Sequence, residues 1–172
     1  IIKSQGDVRS RRNHEWNLKT NAYRMSWTER DTLQFVVHFD IETRDGKVEA
    51  NGQELTVPNE KESVLNRAYA MFVNDTYWLL FPFKIKDPGV ILQYKKEISE
   101  GGKVLDVITL AFDGVGLTPQ NQYDVAVERD TGKIVYWDYV RQPGSLPRKF
   151  SWDGWQEIEG LFFSTKHFYD ER

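Results

Sequence analysis

The sequence predicts a mainly β fold of the α+β type. The expected form is a strongly curved antiparallel sheet with a central helical segment packed on its concave side. Three observations predict it. Apolar and polar residues alternate with period 2 over most of the chain, which marks strands covered on one face. The spacing changes to three and four only within residues 59–81. Aromatic residues make up 14% of the chain, with 10 Phe, 8 Tyr and 6 Trp, and these types favour strands and concave binding surfaces.

The elements follow in order. His14, Trp16 and Leu18 alternate with Asn13, Glu15 and Asn17, and Tyr23, Met25 and Trp27 with Ala22, Arg24 and Ser26. Lys19-Thr20-Asn21 between them reads as a hairpin turn. Over residues 32–41 one face carries Leu33, Phe35, Val37, Phe39 and Ile41, while the other is mostly polar. Asp45-Gly46 and Asn51-Gly52 are dipeptides that accept the positive φ of tight hairpin turns, so short strands are expected around Val48 and Leu55.

Residues 59–73 then place Val64, Leu65, Ala68, Tyr69 and Phe72 on one helical stripe. Asn59 is the expected N-cap, and Glu60 and Glu62 suit the first turn. Asn74 and Asp75 are expected to end this helix and cap a second over 76–81, which Pro82 stops. Trp78 is the expected buried anchor of this cover. Strands resume over 90–98 and 104–112 around Glu100-Gly101-Gly102-Lys103. The second of these is apolar on both faces and is expected to be central. A hairpin over 123–127 and 134–140 turns at Arg129-Asp130-Thr131-Gly132. A loop follows over 142–149, then a short strand around Trp152 and Trp155 and a last one over 161–169. That makes about ten strands, and curling limits the edges they expose.

The chain of 172 residues is expected to be one domain, large enough to bury roughly 70% of its unfolded surface. Basic and acidic residues number 23 and 26, a net charge of −3, without the basic excess of a nucleic-acid binder. The absence of Cys removes disulfide frameworks, thiolate metal sites and thiol nucleophiles. No apolar run reaches the ~18 residues of a membrane span. The chain starts at Ile1 without Met and reads as a processed or trimmed product.

Few residues carry recognisable chemistry. His14, His38 and His167 lack metal-site spacing, and no metal or cofactor is expected. His38 and Asp40 lie two apart on a polar strand face, where a shared site or a solvated surface is open. His14 beside Trp16 reads as a hydrogen-bonded histidine at the core edge. Residues 40–51 fail as a calcium loop because Asn51 stands where a final Glu belongs. There is no GxSxG elbow, P-loop or dinucleotide fingerprint. The remaining feature is the apolar run Thr76-Tyr77-Trp78-Leu79-Leu80-Phe81-Pro82-Phe83. It is either plain core or the cover of an apolar cavity.

Asn74-Asp75 with that run and Lys84, followed by Asp87-Pro88-Gly89, resembles a segment of uncharacterised bacterial exported proteins and lipoproteins. Residues 112–119 and the tryptophans at 152 and 155 fit the same group, and the resemblance spans about residues 12–167. That group is similar to the LolA/LolB-like lipoprotein carriers. The resemblance implies an unclosed β-barrel, and a single LolA/LolB-like domain over 1–172 that lacks the family's N-terminal helix. It further implies a periplasmic or outer-membrane setting, with membrane association through a lost N-terminal lipid anchor.

The expected function is non-enzymatic binding of a hydrophobic small molecule, lipid or acyl chain by a monomer. The candidate cavity residues are Trp16, Tyr23, Trp27, Phe35 and Phe39 on the sheet, with Trp78, Leu80 and Phe81 on the cover, acting by desolvation. One alternative is a carbohydrate- or peptide-binding surface built from exposed Trp137, Tyr139, Trp152 and Trp155. A second is a hydrolase using His38 and Asp40.

Overall fold

The computed structural model describes residues 2–4 and 7–170. The mainly β class, the antiparallel pairing and the helix packed against the strands are borne out. Among the described residues the order is β1 (Ile2–Ser4), β2 (Asp7–Ser10), β3 (Arg12–Trp16), β4 (Ala22–Glu29), β5 (Leu33–Asp40), β6 (Gly46–Ala50), β7 (Gln53–Glu54) and the helix α1 (Pro58–Lys84). Then come β8 (Val90–Glu100), β9 (Lys103–Phe112), β10 (Gln122–Glu128), β11 (Ile134–Val140), β12 (Arg148–Ile158) and β13 (Leu161–Asp170). The strands form not one sheet but a five-stranded sheet β3-β4-β5-β6-β7, a six-stranded sheet β13-β12-β11-β10-β9-β8 and the small pair β1-β2. The chain divides into two compact units, one ending at Asn74 and the other beginning at Asp75.

In the first unit the alternation becomes three cross-strand rows on the inner face. Trp16, Tyr23, Phe39 and Gly46 lie side by side, as do Met25, Val37 and Val48, and then Trp27, Phe35 and Ala50. Met25, Val37 and Val48 are fully buried. The helical stripe of Val64, Ala68 and Phe72 packs on these rows. Phe72 reaches the Tyr23 ring at 4.6 Å and the Trp16 ring at 5.3 Å.

Two turn expectations have different outcomes. Asn51 and Gly52 both take positive φ, 50° and 76°, as an Asn-Gly hairpin between Ala50 and Gln53 requires. Asp45-Gly46 is not such a turn. The connection runs over 41–45, and its left-handed residue is Arg44 (φ 65°). Gly46 already pairs with Phe39. A Cβ there would collide with the His38 carbonyl and with Phe39, which is why glycine stands at this position.

The helix is also longer than expected. It starts with Pro58, where the missing N–H costs nothing, and the first backbone bond runs from Lys61 N–H to the Val57 carbonyl at 2.9 Å. It passes through Asn74 and Asp75 without a break and contains Pro82. The weak helix propensity of Asn and Asp costs under about 1 kcal/mol each, less than burial of the flanking apolar residues returns. Pro82 lies in the last turn, so only end bonds of the helix are affected.

The second unit is a six-stranded antiparallel meander. Gly101 and Gly102 take φ of 60° and 76° at the β8–β9 turn, and Gly132 takes 68° before β11. Strand β9 lies between β8 and β10 and is covered on both faces. Leu110 packs with Phe81, Tyr123, Val125, Ile134, Trp137 and Trp152, while Leu105 and Val107 pack with Ala126 and Tyr136.

Candidate functional site

An open depression of about 1070 Å³ lies at the end of the first unit's sheet where the β3–β4 turn emerges. Its apolar lining is Trp16, Leu18, Tyr23 and Phe39, and its polar lining includes Glu15, Lys19, Arg24, His38, Asp40 and Lys47. The local sequence explains its shape. Asn17 Oδ1 accepts hydrogen bonds from the Lys19 and Thr20 amides at 3.0 and 3.3 Å. Asn17 N–H donates to the Ala22 carbonyl at 2.9 Å. This side-chain-built turn holds Leu18 out in solvent, 74% exposed. Ala22, opposite Asp40, offers only a methyl group, and Gly46 offers no side chain.

A polar row crosses the outer face of the same sheet. Glu15 pairs with Arg24, Arg24 with His38, and His38 with Lys47. The Arg24 guanidinium donates to Glu15 at 2.8 Å. The Asp40 carboxylate is occupied by its own turn. It accepts from the Glu42 and Thr43 amides at 2.8 and 2.9 Å, and these amides, Thr43 foremost, hold its pKa below the usual carboxylate range. Among the described residues no hydrogen bond joins His38 to Asp40, so the pair does not form the base and orienting group that the hydrolase alternative needs.

Of the eight candidate cavity residues, Trp16, Tyr23 and Phe39 line the depression. Tyr23, Trp27, Phe35 and Phe39 are buried in the first unit's core, and Trp16 packs against it. Trp27 and Phe35 stack with centroids 5.0 Å apart, with Arg67 over both rings. The cover of these residues is Val64, Ala68 and Phe72 rather than the expected run after Asn74. In the second unit Phe81 is fully buried in the core and Trp78 is half-buried against it. Leu80 is half-buried.

The exposed aromatic row is not found. Trp137 and Trp152 are 1% and 4% exposed, and Tyr139 and Trp155 pack partly buried against the same core. Cross-strand pairing and the helix residues Trp78 and Phe81 gather these rings into one core.

His14 is indeed hydrogen-bonded, its Nδ1 lying 2.7 Å from the Tyr23 hydroxyl. Sequence reasoning missed Leu18, Lys19, Arg24 and Lys47 as part of a site. The available signal was a Leu inside an Asn-rich turn, beside a strand face of mixed charge.

His167 lies against Trp152 and Trp78, with ring centroids 4.5 and 5.2 Å away. Burial pushes its pKa from 6.5 down to about 4. Between those values the unfolded chain binds more protons than the folded one, so stability is complete above pH 6.5 and declines as pH falls through 4. We expect a loss of about 1–2 kcal/mol from this group by pH 4.5, allowing for its partial exposure. Urea unfolding of wild type and His167→Phe should show the difference, with the variant flatter over this range. Parallel pH profiles would show that the imidazole stays protonated in the fold.

No protein-family model matches the chain, and no curated protein matches it. Among solved structures it is similar to a DUF1329 family protein from Desulfovibrio piger ATCC 29098, with a TM-score of 0.49 and 10% identity over 94% of this chain and 70% of that one. It is also similar to a domain from Vibrio parahaemolyticus named for outer membrane lipoprotein sorting, with a TM-score of 0.43 and 6% identity over 94% of this chain and 77% of that one.

Proposed function

We propose that the protein binds an apolar or amphiphilic small molecule, such as a lipid or acyl chain, in the depression of its first unit. The observation that carries this reading is the combination of volume and lining. An open space of about 1070 Å³ bordered by Trp16, Leu18, Tyr23 and Phe39 is slightly larger than ligand-sized pockets of roughly 300–1,000 Å³. A leucine held 74% exposed beside it is a surface that a greasy ligand would remove from water. The exported setting implied by the resemblance of residues 74–89 and 112–119 agrees with such a ligand.

Titration with a fluorescent fatty-acid analogue tests the reading. We expect binding in the low micromolar range or weaker, about −8 kcal/mol at most. Leu18→Asp should weaken it at least about tenfold, since one covered Leu contributes roughly 1.5–3 kcal/mol. Leu18 is too exposed for this change to disturb folding. Leu146→Asp, at a position 88% exposed in the second unit, should bind as wild type. Equal binding by wild type and Leu18→Asp, or none by wild type, would remove the depression as the site.

A further inference from the structure

We infer that the depression selects an amphiphile with an anionic head, its charged group held by Lys47, Arg24 and Lys19 and its chain laid toward Leu18. This rests on the apolar-ligand reading and specifies the chemistry of the same site.

Two carboxylates line the depression, and both are engaged. Glu15 takes the Arg24 guanidinium at 2.8 Å, and Asp40 Oδ1 takes two backbone amides at 2.8 and 2.9 Å. The cations are not matched in the same way. Lys47 and Lys19 border the depression, and neither has a side-chain partner among the described residues. Arg24 commits one Nη to Glu15, and a guanidinium carries five N–H donors. Three cations, Lys19, Arg24 and Lys47, thus face two carboxylates, Glu15 and Asp40, in the lining, and the two lysines are the cations without a side-chain partner among the described residues.

Their placement converges. Arg24, His38 and Lys47 are direct cross-strand neighbours on β4, β5 and β6. Adjacent strands lie about 4.8 Å apart, so Arg24 and Lys47 emerge about 9.6 Å apart with His38 between them. Long flexible side chains at that separation reach a single carboxylate lying over His38. An anion there gains charge-assisted hydrogen bonds, which a neutral head does not. The exposed apolar contact beside this row is Leu18, held out in the β3–β4 turn. An amphiphile matches that polarity better than a wholly apolar molecule or a bare anion.

Isothermal titration of the full chain with dodecanoate, dodecanol and inorganic phosphate distinguishes these possibilities. At low salt we expect dodecanoate to bind about tenfold more tightly than dodecanol, as two or three exposed ion pairs allow. Phosphate should show no measurable heat. Raising salt to 1 M should close most of the gap, because exposed charges are then screened within about 3 Å. In Lys47→Gln/Lys19→Gln the preference for dodecanoate should fall to about threefold or less.

Equal affinity of wild type for dodecanoate and dodecanol would overturn the anionic head while leaving the apolar site standing. An unchanged preference in the double variant would overturn the assigned lysines. Phosphate binding as tight as dodecanoate would show a bare anion site. Failure of both chain compounds to bind would remove the apolar reading itself.

Discussion

Trp137→Ala will destabilise the protein by about 3–5 kcal/mol, the range for large aromatic truncations in a core. The residue is 1% exposed. Its ring lies 4.5 Å from Trp78, 4.7 Å from Tyr123 and 4.9 Å from both Phe81 and Trp152. The four neighbouring rings are rigid aromatics that refill only part of the space truncation leaves, so the cavity term adds to the lost transfer energy. Urea unfolding followed by far-UV circular dichroism should show the loss, with Tm falling roughly 10 °C. Trp137→Phe, which keeps one ring, should cost less than half as much. A loss under about 1 kcal/mol for the alanine variant would mean that this core repacks freely, contrary to the density expected of it.

Trp137, not Trp78, is the deeper tryptophan of this core: Trp137 is buried and Trp78 half-buried. The strands over 22–40 are legible because each buries one face, which period 2 marks directly, and β9 is legible because both of its faces are apolar. Both tryptophans sit in apolar context, and local pattern cannot rank their burial. Depth depends on neighbours brought by pairing. Trp137 lies between Val125 and Phe150 across β10 and β12, whereas Trp78 is on a helix surface. The helix is longer than its local signals imply because tertiary burial outweighs the stop signals Asn74, Asp75 and Pro82. The division of strands into two sheets was illegible for the same reason, since it depends on which edges meet. The depression was only half legible. Trp16, Tyr23 and Phe39 stood out as aromatics. Leu18, Lys19 and Lys47 acquire meaning only once the β3–β4 turn and the ends of β4, β5 and β6 are brought to one place.

Phe39→Asp will unfold the first unit, whereas His38→Ala, one residue away, will leave stability within about 0.5 kcal/mol of wild type. Side chains alternate across a strand, so the two positions face opposite environments. Phe39 is 4% exposed, next to Tyr23 at 5.3 Å and Phe72 at 6.3 Å between ring centroids. Removing the ring costs about 3–5 kcal/mol. A carboxylate left there has no cation on the inner rows, and its desolvation adds several more. The sum approaches the ~5–15 kcal/mol that holds a typical domain together. His38 is exposed, and its loss leaves no buried group unpaired. Phe39→Asp would therefore lose ligand binding by unfolding, which is why Leu18→Asp is the sharper probe of the depression. Circular dichroism and urea titration of both variants decide the point. A folded Phe39→Asp protein with a normal midpoint would mean that Phe39 faces solvent, and the register of β5 assigned here would be wrong.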